Sequence, residues 1–308
     1  MKLIYKDVDI TNKVKILHAN VNDTAGGEAD SVELILSDTE KLWMEWGPEK
    51  GDEFAIIQNG FTSGVMYVYF LQSGSGVFAI KGRSIPPRAK TPNSRQWENV
   101  RFNDMAGDIA DNYGFKLSAY GISDWLYPRV EQVNDPDFKF LSDRCSMESC
   151  CLKVHDKWII IYSEPYMEAK DTVLTLTRDN IIGDPLLTTV SDGLYSSCNV
   201  KYLDPSNKLI DHTFTPKSAP AGPVMKINTR VANYGEAERF AKGWLRYANK
   251  NETFGELPIK LNTEVAAGNT IQLKNFGSFS GKYFVSGCTQ KLLDDKTILK
   301  IRKVLEGY

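Results

Sequence analysis

The chain has 308 residues, enough for about two domains and a sizeable core. Its 37 Lys and Arg balance 39 Asp and Glu, with a formal net charge of −2, which argues against a sequence-specific nucleic-acid binder with a basic face. No apolar run approaches the length that spans a bilayer, and Met1-Lys2-Leu3-Ile4-Tyr5-Lys6-Asp7 turns charged at once, so the expectation is a chain with no signal peptide and no membrane insertion, made in the cytoplasm.

Residues 1 to about 87 read as short strands and turns. Val32-Glu33-Leu34-Ile35-Leu36-Ser37 carries apolar side chains on both faces in its middle, the pattern of a strand buried on two sides or of a barrel stave. Lys50-Gly51-Asp52 turns into Glu53–Gln58. Two further runs, Gly64–Leu71 and Gly76–Ile85, flank Gln72-Ser73-Gly74-Ser75. Many short strands with Gly and Asp turns predict a small antiparallel barrel or sandwich. The stretch from Pro86 to Pro92 cannot continue a central strand, which sets a boundary near residue 90.

A mixed segment follows. Phe102, Met105, Ala106, Ile109, Ala110 and Tyr113 fall at helical spacing, and Gly114 stands where a helix C-terminus favours it. Asp104, Asp108 and Asp111 share that helix three and four residues apart, the ordinary pattern of a solvated face. Lys116–Ala119 suits a strand. In Gln132-Val133-Asn134-Asp135-Pro136-Asp137-Phe138-Lys139-Phe140-Leu141, Asn134 or Asp135 can cap a helix, Pro136 suits its first turn, and Phe138 and Leu141 share one face. Two β-like runs, Cys151–His155 and Trp158–Tyr162, then join through an Asp156-Lys157 turn.

The five cysteines, Cys145, Cys150, Cys151, Cys198 and Cys288, are odd in number and two are adjacent, a poor basis for a disulfide framework. Cys145, Cys150, Cys151 and His155 could be offered as zinc ligands, but they straddle a helix end and a strand, and small core-filling thiols account for them better.

From about residue 165 the strand pattern returns in Val173–Thr177, Asp192–Leu203 and Met225–Val231, with a loop around Pro216–Pro223. Ala237, Phe240, Ala241, Trp244, Leu245 and Ala248 form an apolar helical stripe with Glu and Arg opposite. Glu256–Asn262, Thr270–Asn275, Lys282–Leu292 and Thr297–Val304 complete the set. The expected class is α+β, mainly β. Two small antiparallel β-barrel domains, 1–90 and 166–308 (the second with one embedded helix), enclose an α/β insert domain, 91–165. Phe138, Leu141, Trp244 and Tyr283 are expected in the core.

Nothing in the sequence points to catalysis. His18, His155 and His212 lie far apart, and no nucleophile elbow, phosphate loop or dinucleotide fingerprint occurs. Gly74-Ser75-Gly76 and Gly82-Arg83-Ser84 read as turns, and Asp294-Asp295 sits in a loop. Trp43, Trp46, Trp97 and Trp125 are scattered and form no recognisable sugar platform. No catalytic residue, metal ligand or cofactor is expected, and the competing class is a β-rich glycan-binding or adhesin module.

The run from Gln132 to Leu141 resembles the "N-D-x-D-F-x-F-L" segment of bacteriophage tail hub proteins, the late control protein D family, and of the hub-like half of type VI secretion spike proteins. The resemblance extends through Glu236-Ala237-Glu238-Arg239-Phe240-Ala241-Lys242, Leu245, Asn249, Gly255-Glu256-Leu257, Ala267-Gly268, Ile271, Leu273, Phe276-Gly277 and Gly281-Lys282-Tyr283-Phe284-Val285. Upstream, Ser191–Ser196 and Val200–Pro205 resemble the opening strand of the second hub barrel. Gln290 stands where that family often has a His. The resemblance implies a homotrimeric ring of six barrels in a contractile tail baseplate, assembled in the bacterial host cytoplasm. Its implied partners are a tail spike protein and a tail tube or distal tube protein, with room for tape-measure and baseplate wedge proteins. A near-neutral lumen would let DNA slide through.

Overall fold

The computed structural model describes the backbone of residues 1–308 and every side chain except that of Met44. The chain is mainly β, with helices α1 (Leu42–Trp46), α2 (Phe102–Tyr113), α3 (Asp137–Met147), α4 (Glu164–Ala169) and α5 (Tyr234–Asn249). Its largest element is a 14-stranded sheet, antiparallel except where Leu174–Leu176 pairs with Thr270–Leu273. One path runs through the sheet from Leu186–Thr189 at one end to the hairpin of Lys2–Tyr5 and Val8–Asp9 at the other.

The strand Ile16–Thr24 makes this sheet continuous. One edge pairs with Ser31–Ser37, and the other pairs with Gly281–Lys291 in a register running from Gly287↔Thr24 to Lys291↔Asn20. Strands from the beginning and the end of the chain therefore share one ladder. Each half still wraps its own core: Leu3, Leu34, Leu36, Phe54, Ile56 and Met66 on one side, Leu257, Ile271, Leu273, Tyr283 and Leu299 on the other. The two barrels expected from the sequence are thus corrected. Among the described residues the strand pairings close neither half, because Ile16–Thr24 pairs across halves instead of sealing its own. Ser31–Ser37 also departs from two-sided burial. Val32, Leu34 and Leu36 are buried, while Glu33 and Ile35 on the opposite face are half-covered.

The middle of the chain packs against this sheet. Lys116–Tyr120 runs parallel to Trp158–Ser163, which pairs antiparallel with Cys150–His155. On α2, Phe102, Met105, Ala106, Ile109 and Ala110 are buried, and Gly114, at φ 68°, ends the helix by donating its N–H to the carbonyls of Ala110 and Asp111. Asp104, Asp108 and Asp111 lie on its exposed face, and Asp108 accepts the Trp97 indole N–H at 2.8 Å.

The start of α3 differs from the sequence expectation. Neither Asn134 nor Asp135 caps it; Pro136 occupies the cap position with no side-chain cap. Those residues instead finish the strand Leu126–Pro136, which pairs with Pro92–Arg101 as a two-stranded ribbon, and Asn134, at φ 49°, sits in the register shift between Gln132 and Asp135. Phe138 and Leu141 are buried on one face, as their spacing predicts.

A three-stranded sheet orders Leu209–Phe214, Ser197–Leu203 and Val224–Asn228. Helix α5 packs on it, and Cys198, Val200, Ile210, Phe240, Ala241 and Leu245 join the same core as α2 and α3. Tyr283 is fully buried, whereas Trp244 is only partly so. Gly243 lets α5 approach the end of α3: a Cβ there would run into the Met147 carbonyl.

Candidate functional site

The side chains that carry charge in the interior lie where the layers meet. Helix α4 presents Glu164 and Glu168, one turn apart and both buried, to α5 and to the strand Lys296–Lys303. Arg246 reaches Glu164 at 3.3 Å and Glu168 at 2.5 Å; Arg302 reaches the same pair at 3.3 and 2.6 Å; Lys250 adds a contact with Glu164 at 3.3 Å. Both guanidiniums are about 98% buried, so this is a desolvated cluster of two carboxylates and three cations. Burial pushes the Glu164 carboxyl up, but Arg302, Lys250 and Arg246 outweigh it and hold the group at about 2. Arg302 also lies 4.3 Å over the Phe284 ring.

A second group fixes the ribbon. The buried Asp137 carboxylate accepts from Arg95 at 2.6 Å, Gln132 at 2.8 Å, Asn93 at 3.0 Å and Tyr113 at 3.1 Å. Burial raises its pKa, but the bonds from Gln132 and Asn93 and the charge of Arg95 leave it below the usual carboxylate range. The acid that follows the resemblance's Asn-Asp pair is thus the anchor of the ribbon-to-helix corner. A third group, Lys153 with Asp23 and Asp30, joins the strand Cys150–His155 to Ile16–Thr24.

The residues weighed for metal binding do not converge. Cys145 and Cys150 belong to the core under α2 and α3, whereas Cys151, next along the strand, faces the opposite way and donates to Glu164 at 3.0 Å. His155 turns toward Asp30, at 3.6 Å. Burial pushes the Cys150 thiol up to about 12, which disfavours a thiolate ligand. Among the described residues no three His, Cys, Asp or Glu side chains cluster for a metal.

The other candidates are dispersed as well. His18, His155 and His212 lie in three different sheets. Gly82 is crowded by Phe54 and Met66, which makes it a packing glycine, and Gly76, at φ 73°, is a turn. Asp294 and Asp295 lie in the turn between the last two strands. Trp43 stacks on Phe78 at 5.4 Å and Trp97 on Phe140 at 5.5 Å, while the Trp125 face is covered by Arg239 at 4.0 Å. Gln290 is buried, donating to the Asn262 carbonyl at 2.8 Å and accepting from Thr297 at 2.5 Å.

The outer surface offers apolar side chains at strand edges and faces. Leu186 on the end strand of the large sheet is 58% exposed, as is Leu203 on the three-stranded sheet; Leu209 stands exposed opposite Leu203, and Val224 is exposed at the other end of that sheet, opposite Ser197. The strand Leu186–Thr189 lies outside the elements expected from the sequence. Leu186 and Leu187 form a short apolar run before Thr188-Thr189, a strand signal that could have been noticed.

No family model and no curated protein matches the sequence. The fold does match solved structures. The chain is similar to the 43 kDa tail protein of prophage MuSo2 from Shewanella oneidensis, with a TM-score of 0.76 at 9% identity over 98% of each chain. It is similar to a tail protein from Neisseria meningitidis MC58, with a TM-score of 0.77 at 9% identity over 98% of this chain and 95% of that one. It also resembles the E. coli c3393 protein, a type VI secretion component described as structurally similar to bacteriophage T4 tail proteins, with a TM-score of 0.62 at 10% identity over 100% and 78% of the two chains. From end to end, the chain has the fold of these phage and secretion tail components.

Proposed function

We propose that the chain is a structural subunit of the baseplate hub of a contractile phage tail or phage-like particle, of the late control protein D type. The observation that carries this is the end-to-end match, 98% of each chain, to a prophage tail protein of the same architecture. Three copies, each contributing two β-units, one from residues 1–90 and one from 166–308 with 91–165 between them, form a ring of six. Such a ring meets a sixfold tail tube on one side and a threefold spike on the other. One ladder running through both units, backed by desolvated ion pairs, suits a part that must keep two contact surfaces in fixed relation. The sheet ends and the exposed Leu186, Leu203 and Leu209 are the surfaces available for self-association and for spike and tube partners. A catalytic role is not part of this assignment, and the buried carboxylates of Asp137, Glu148 and Glu164 are already engaged by Arg95, Arg239 and Arg246. A net charge of −2 suits a lumen through which DNA passes without being held.

Light scattering and negative-stain imaging of the purified chain test the assignment. The expected particle is about three times 34.6 kDa with a central hole. A monomer that also fails to associate with a co-expressed spike protein would refute it and favour the glycan-binding class.

A further inference from the structure

We infer that Lys153 and Asp23 are joined by an intramolecular amide, formed without any other protein and with Asp30 as the proton carrier. The Lys153 Nζ contacts Asp23 Oδ1 and lies 3.5 Å from Asp30 Oδ2, and the three side chains are 13%, 17% and 3% exposed. Asp23 Oδ2 accepts the backbone N–H of Ala267 at 2.8 Å. Asp30 Oδ1 accepts the backbone N–H of Thr24 at 2.9 Å, and His155 Nδ1 stands 3.6 Å from Asp30 Oδ2.

A structural ion pair accounts for this arrangement less well. An ammonium has three donors, and beyond Asp23 the remaining neighbours of Nζ, Asp30 Oδ2 and the Thr24 carbonyl, both lie at 3.5 Å. The charged form is therefore poorly solvated. Burial pushes the Lys153 ammonium down to about 8 against the opposing influence of Cys288, which eases the loss of its proton. Burial likewise raises the Asp30 carboxyl, against His155 and Thr24, which makes it a better acceptor for a proton from Lys153. Nucleophile, electrophile and acid are thus held together by two strands and a loop, the geometry in which a slow condensation becomes effectively unimolecular.

The step balances without an oxidant or activated donor. The Lys153 ammonium gives one proton to the Asp30 carboxylate, and its Nζ attacks Asp23 Cγ. The Ala267 N–H, already on Oδ2, stabilises the charge that develops on that oxygen. Asp30 returns its proton to Oδ1, which also takes the second proton that the nitrogen loses as the amide forms, and it leaves as water while the carbonyl re-forms on Oδ2. One C–N bond forms, one C–O bond breaks, and one water departs. The product ties residues 130 apart in sequence, across the junction where the middle of the chain meets the large sheet.

The test is the mass of the intact, fully denatured chain, followed by proteolysis and sequencing of the fragments. The expected wild-type mass is one water below that of the sequence, with a branched peptide containing both Asp23 and Lys153. Lys153→Arg and Asp23→Ala should each show their full sequence mass, and Asp30→Ala should retain the water in most molecules. A wild-type chain at its full mass overturns the proposal without reference to any variant. So does a lost water that maps to a succinimide with no branched peptide. Complete cross-linking in Asp30→Ala would overturn the role given to Asp30.

Discussion

Replacing Glu168 by Ala tests whether the buried charge cluster acts as a unit. Glu168 is in contact with two guanidiniums, Arg246 at 2.5 Å and Arg302 at 2.6 Å, each about 98% buried. Its removal leaves Glu164 to neutralise Arg246, Arg302 and Lys250, and the two guanidiniums are buried too deeply to turn to solvent. Stripping one partner from a buried pair costs about 3–5 kcal/mol. Here the loss falls at the upper part of that range, because two cations lose a partner at once. With roughly 2–3 °C per kcal/mol for a chain of this size, the melting temperature should fall by about 8–15 °C. Urea unfolding monitored by tryptophan fluorescence and by far-UV circular dichroism gives the free energy directly. Coincident transitions license a two-state value. A loss under about 1 kcal/mol would refute the reasoning, since it would mean that water reaches the guanidiniums and that the cluster behaves as a surface network. The fourfold change Glu164→Leu, Glu168→Leu, Arg246→Met, Arg302→Met gives the converse. It should recover most of the lost stability, because it removes the desolvation cost together with the attraction.

Four further outcomes are expected. Glu164, ordinarily at 4.5 and held at about 2 in the folded chain, contributes stability that is full above pH 4.5 and is lost as the pH falls through 2. The loss is about 3 kcal/mol at about 1.4 kcal/mol per pH unit, and Glu164→Gln should flatten this part of the acid-unfolding profile. Gly243→Ala should cost about 1–3 kcal/mol by forcing α5 away from the Met147 carbonyl, seen as a lower urea midpoint with an unchanged slope. Leu186→Lys should leave the thermal unfolding of the subunit within about 0.5 kcal/mol of wild type while weakening self-association in sedimentation runs. If Asp23 and Lys153 are linked, closure of so long a loop adds about 5 kcal/mol by the chain-entropy treatment of cross-links. Asp23→Ala should then destabilise far more than the loss of an ion pair would.

The elements with a regular apolar period were legible in the sequence, and those built on polar contacts were not. Phe102–Tyr113 and the last four strands announced themselves through spacing, because their burial is hydrophobic and local pattern suffices. The ribbon of Pro92–Arg101 with Leu126–Pro136 did not. Pro128 and an almost wholly polar partner strand mask its alternation, and Val133, one of its few apolar residues, is 73% exposed. Helix α4 was missed for a related reason. Its two fully covered residues are Glu164 and Glu168, a spacing that reads as a solvent face until Arg246 and Arg302 are known to stand opposite. The same blindness affected α5, where Glu236, Arg246 and Asn249 are buried on flanks that the apolar stripe alone would leave in water. Burial of a charge depends on a counter-charge distant in sequence, and no local period encodes that. The open sheet escaped detection because strand periodicity defines faces and says nothing of which edge meets which.

The pairing of Ile16–Thr24 with Gly281–Lys291 also imposes an order on biosynthesis. The first partner leaves the ribosome early, and the second is nearly the last segment made. At about 5–20 residues per second, the free edge of Ile16–Thr24 therefore waits roughly 15–50 s for its neighbour. During that interval a nascent chain carries an unsatisfied ladder beside a formed apolar core, the situation in which neighbouring chains pair wrongly. Expression should accordingly be most fragile to premature termination between residues 249 and 281, after α5 and before the completing strand. Truncated products of that length should accumulate in inclusion bodies, while chains that reach Lys303 remain in the supernatant.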